Sequence, residues 1–81
     1  MEPVRQWVEG TVQSLSSYHA GYGMIMKALV KTGPHLVQVT LPAGIKNTVS
    51  EGSRLKFKAT LVQMSTVAFF AKRPMGMEVI A

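Results

Sequence analysis

Residues 54–61 read Arg54-Leu55-Lys56-Phe57-Lys58-Ala59-Thr60-Leu61. Leu55, Phe57, Ala59 and Leu61 take alternate positions, and Arg54, Lys56, Lys58 and Thr60 fill the rest. Successive side chains on a strand point to opposite faces, so this period of two describes a strand with one face in a core and one in water. A weaker copy lies upstream over His35–Leu41, where Val37, Val39 and Leu41 alternate with Gln38 and Thr40. Pro42 ends that strand, and Glu51-Gly52 turns the chain into the next. The segment from Pro42 to Glu51 leaves room for one helical turn at most.

Working outward, the rest of the chain also divides into short strands. The first is expected over about Val4–Leu15, with Gly10 inside it as the mark of a bulge or sharp coil. Ser14–Gly21 reads as a polar turn or loop, and Tyr22–Lys31 as a second strand closed by Thr32-Gly33-Pro34. After a turn near Met64-Ser65, a fifth strand covers Val67–Lys72. Pro74-Met75-Gly76 then ends the ordered part, leaving Met77–Ala81 as a tail, or as an edge strand if docked. No stretch shows a helical period. These features predict an all-β fold, a small five-stranded antiparallel OB-fold-like barrel with a shortened connection between strands three and four. An SH3-like barrel is the alternative. One domain is expected over residues 1–76, with a short tail over 77–81.

The chain has 81 residues, nine Lys plus Arg, four acids that are all Glu, and no Cys. A chain of this length buries only roughly 60–65% of its unfolded surface. Without Cys there are no disulfides, thiolate metal sites or Cys nucleophiles. Without Asp, and with Glu2, Glu9, Glu51 and Glu78 scattered, a catalytic triad or a carboxylate pair lacks raw material. The expectation is a binding module and not an enzyme, with no cofactor and no metal. No apolar run is long enough to span a bilayer, and the first residues do not pattern as a secretory signal, so a cytoplasmic protein is expected. The net charge of +5 points to a polyanion, nucleic acid before membrane. The stretch from Gly10 to Ser50 carries Lys27, Lys31 and Lys46 and no acid.

Two short motifs sharpen that expectation. Gly10-Thr11-Val12 is followed, eleven positions on, by Gly21-Tyr22-Gly23-Met24-Ile25, and later by Glu51-Gly52-Ser53-Arg54-Leu55-Lys56-Phe57. In this order they resemble the opening Gly-x-Val, the Gly-Phe-Gly-Phe-Ile and the Glu-Gly-x-x-Val-x-Phe of cold-shock domains, over about half the chain. The resemblance implies an OB-fold that binds single-stranded RNA or DNA. Ala20 replaces a basic residue of that pattern, Met24 an aromatic and Ser14 a binding Trp, and Leu36–Thr40 lacks the stacking pair of the third strand. In size and general shape the chain also resembles the small single-stranded-DNA-binding proteins of filamentous phages.

Tyr22 is the first candidate for base stacking and Tyr18 the second, with His19 in the same loop and Met24 offering an apolar contact. Lys27, Lys31, Lys46, Lys72 and Arg73 are candidates for phosphate contact. Trp7, the only Trp, suits either a core position or a platform, and burial is the favoured reading. Arg54, Lys56 and Lys58 form a basic stripe without an assigned role. On the second strand, Met24, Met26, Ala28 and Val30 are all apolar, whereas Ile25, Lys27, Leu29 and Lys31 are mixed. Pattern makes the even face core; the resemblance puts Ile25 there instead. A bulge reconciles the two, as does a homodimer through an apolar outer face. A protein-binding adaptor or structural barrel is the alternative function.

Overall fold

A computed structural model describes residues 5–21, 23–42, 44–45 and 48–80, apart from the side chains of Tyr18 and Ala20. Five strands are present: β1 (Arg5–Ala20), β2 (Gly23–Thr32), β3 (His35–Thr40), β4 (Arg54–Gln63) and β5 (Ala68–Ile80). They form a closed barrel in the order β1-β2-β3-β5-β4. This is the OB-like architecture expected, with one correction. The β3–β5 junction is parallel and the other four are antiparallel. A ring with an odd number of strands cannot alternate direction all the way round, so one junction has to be parallel.

β1 belongs to both halves of the barrel. Residues 5–11 pair with β4 and residues 11–20 with β2, so Thr11 faces both Arg54 and Lys31. The corner falls at Gly10, where a Cβ would stand 2.4 Å from the Lys31 carbonyl oxygen and 2.7 Å from Val30 Cγ1. Only glycine permits that approach. A register shift between Val12 and Ser14 follows. It moves the inward positions from even (Val8, Val12) to odd, where Leu15 packs against the core. The loop expected over Ser14–Gly21 is therefore strand as far as Ala20. Ser16–Ala20 pair residue for residue with Lys27–Gly23, and this pairing overrides the low strand preference of serine.

The same pairing settles which face of β2 is core. Ala28 and Val30 are buried and Met26 packs against them, as the apolar pattern requires. Ile25 is only half-buried and lies outside the core, so the register implied by the cold-shock resemblance does not hold on this strand. From Met26 to Val30 the apolar even face is accounted for by the barrel interior, while Met24 at the hairpin end is exposed.

The interior is narrow. Val8, Val12, Val30, Val37 and Val39 line it with Ala28, Ala59 and Ala71, and Leu55 and Phe57 are the largest side chains fully enclosed. As the alternation in β4 predicts, Leu55, Phe57 and Ala59 are inside; Leu61 packs partly against them. Leu41 and Val49 are buried, and Ile45 packs on the core, so the 41–53 connection plugs one end of the barrel. That connection contains turns, with Ile45 N–H donating to the Pro42 carbonyl at 3.2 Å and Thr48 N–H to the Ile45 carbonyl at 2.9 Å.

β5 corrects the fifth strand. Pro74-Met75-Gly76 does not end it, and residues 77–80 of the expected tail stay in the sheet. Lys56 faces Glu78, Lys58 faces Met75 and Thr60 faces Lys72, so twice three β5 residues lie against two of β4. Arg73 (φ 54°) and Gly76 (φ 62°) supply the left-handed residues that such bulges use.

Candidate nucleic-acid interface

The outer face of β1, β4 and β5 can be written as rows. Arg5, Thr60 and Lys72 lie side by side; then Trp7, Lys58 and Met75; then Glu9, Lys56 and Glu78; then Thr11, Arg54 and Ile80. Trp7 is the centre of this face and is 57% exposed. The ammonium groups of Lys56 and Lys58 stand 5.2 and 5.9 Å from its ring centroid. At such distances a cation is attracted to the indole face, by about 0.5–1 kcal/mol where water reaches the pair. Arg5 reaches the same place, its Nη1 donating to Met75 Sδ at 3.0 Å. Gly76 lies under the ring edge, since a Cβ there would meet Trp7 Cη2 at 3.5 Å.

Five cations, Arg5, Arg54, Lys56, Lys58 and Lys72, share this face with two acids, Glu9 and Glu78. Arg54 Nη2 donates to Glu9 Oε2 at 2.6 Å. Both side chains are exposed, so the pair adds little stability. It does answer one positive charge and leaves the lysines around Trp7 in excess. Chemically the face offers a flat π surface with ammonium groups beside it. A base can stack on such a surface, and neighbouring phosphates can displace counterions from the cations.

The residues expected from the sequence fall into separate groups. Tyr22 and Lys46 lie outside the described residues. Tyr18 pairs with Ile25 and His19 with Met24, so the backbone gathers these three candidates at the β1–β2 hairpin end. His19 and Met24 are exposed there. Lys27 and Lys31 sit on the outer face of β2, Lys31 exposed and Lys27 half-buried beside a groove lined by Ser14, Ser16, Leu29 and Gln38. Lys72 and Arg73 are exposed on β5, and Lys72 joins the Trp7 side of the barrel instead. The favoured burial of Trp7 is overturned. Trp7 shares odd positions with Arg5, Glu9 and Thr11, while Val8 and Val12 hold the even, inward ones. That parity is the sequence signal for an outward Trp7.

Among the described residues, the end of the barrel opposite the plug is open. A cavity of about 310 Å³ lies there, lined by Gln6, Trp7, Val8, Thr32, His35, Val37, Leu61 and Phe69. His35 and Phe69 meet edge to face, with ring centroids 5.2 Å apart.

No protein-family model matches the chain, and no curated protein or solved structure matches it either. Among the described residues, no helix is long and apolar enough to cross a membrane.

Proposed function

We propose that this barrel is a binding module for single-stranded nucleic acid with little sequence preference. Bases stack on Trp7, and Arg5, Lys56, Lys58, Lys72 and Arg73 contact phosphates. The observation that carries this reading is the exposed Trp7 with two ammonium groups within 6 Å of its ring centroid. An interior built largely of Val and Ala gains most from burying large apolar side chains, yet the single Trp lies outside. An exposed aromatic ringed by cations is the pattern of sequence-tolerant single-strand binding. The β1–β2 hairpin, with Tyr18, His19 and Met24, and Lys27 and Lys31 beyond it, serves in this reading as a second stretch along the strand's path. Tyr22 and Lys46 belong to the proposal on sequence grounds.

Titration of labelled single-stranded DNA and RNA, followed by anisotropy, tests this reading. Binding at low salt is expected, with Trp7→Ala weakening it about tenfold or more. No detectable binding at low salt overturns the proposal. Unchanged affinity in a folded Trp7→Ala variant removes Trp7 from the site. A protein-binding role is the second reading, favoured by Val62, Met64 and Val67, which are exposed around the β4–β5 turn. A partner retained from nuclease-treated extract, together with absent oligonucleotide binding, would establish it in place of the first.

A further inference from the structure

We infer that the open end of the barrel is a pocket for one unstacked nucleobase, reached from the Trp7 platform. The inference rests on the single-strand binding proposed above and adds a subsite that distinguishes bases.

The pocket exists for a structural reason. The 41–53 connection covers only one end of the barrel. At the other end β2 and β3 are joined by Gly33-Pro34 alone, and that connection is too short to fold over the opening. Its volume, about 310 Å³, lies at the lower bound of small-molecule sites, which run from roughly 300 to 1,000 Å³. Leu61 and Phe69 give it apolar walls, and the edge-to-face contact with Phe69 holds the His35 ring in place.

The polar groups make it a base site and not merely a gap. Gln6, Thr32 and His35 converge on the cavity. Among the described residues none of these three side chains has a hydrogen-bond partner. A carboxamide, a hydroxyl and an imidazole together present both donors and acceptors, which is what the edge of a heterocyclic base requires. Two-faced recognition, an aromatic or aliphatic wall plus hydrogen bonds to an edge, is how unstacked bases of single strands are held. Trp7 lines the cavity and also stands on the outer face, so a strand with one base on the indole places an adjacent base at the mouth. A free apolar side chain of a protein partner would fill the walls and leave the three polar groups unanswered.

The test compares oligo-dA, oligo-dC and oligo-dT of one length by anisotropy at fixed low salt. The full chain is used with two variants, Gln6→Ala and His35→Phe. His35→Phe keeps an aromatic ring against Phe69 and removes the polar edge, and Gln6 is exposed, so both are expected to fold. The wild type is expected to separate the best and worst homopolymer by about fivefold, the worth of one hydrogen bond. Each variant is expected to bring the three close to equality while still binding. A preference unchanged in both variants overturns the pocket and leaves the proposed function standing, as does a wild type that binds all three equally. No binding of any homopolymer by the wild type overturns the proposed function itself, and the pocket with it.

Discussion

A methyl group at residue 10 has nowhere to go. It would stand 2.4 Å from the Lys31 carbonyl oxygen, which is backbone and cannot rotate aside. Gly10→Ala must therefore push β1 and β2 apart at the corner where β1 passes from β4 to β2. The expected cost is about 1–3 kcal/mol, read as a fall of roughly 5–20 °C in Tm for a chain of this size. A Tm within about 2 °C of the wild type would mean that the corner relaxes freely. Gly10 was legible in the sequence because a glycine within an apolar strand already calls for a close approach or a coil. Trp7 was not legible by the rule applied to it. Tryptophan is usually well buried, and that tendency runs against the parity of its own strand. Among the residues read from the sequence as phosphate contacts, Lys72 lies on the Trp7 side of the barrel.

At the scale of elements, legibility follows the regularity of the pleat. β4 keeps a period of two through its inward residues Leu55, Phe57 and Ala59, and its inner face matches the sequence reading. β1 and β5 break that period, at the shift between Val12 and Ser14 and at the two bulges of β5. Each break moves the side chains that follow onto the other face, so an alternating pattern cannot be followed through it. Pro74 and Gly76 looked like the end of a strand for the same reason that they suit a bulge: Pro lacks a ladder donor and Gly accepts a positive φ. The bulge at Gly76 gives a second prediction. At φ 62° a Cβ is disfavoured, so Gly76→Ala should cost about 1–2 kcal/mol in urea unfolding. The added methyl would stand only at ordinary contact distance from Trp7, so oligonucleotide affinity of the folded variant should hardly change. A stability equal to that of the wild type would show that the bulge relocates.

For the whole molecule the decisive quantity is where the net charge of +5 is placed. The sequence drew attention to the acid-free stretch from Gly10 to Ser50, which includes β2 and β3. Folding redistributes that picture. Among the described residues that stretch contributes Lys27 and Lys31, both on β2, while β1, β4 and β5 bring five cations and two acids onto one face with Trp7. Strands distant in sequence become neighbours in the closed ring, so a tally along the chain cannot show this density. The two faces make different predictions for salt. Each phosphate neutralised on a single strand steepens the fall of log K with log salt by about 0.7. If the Trp7 face holds the strand, Lys56→Gln with Lys58→Gln should flatten that slope by about 1.4 and weaken binding at low salt. Lys27→Gln with Lys31→Gln, on the second stretch of the strand's path, should flatten it less. The reverse result, a slope altered only by the β2 pair, would move the interface to β2 and β3. Trp7 would then be left as an exposed cover for lysine stems, held by the two ammonium groups beside it.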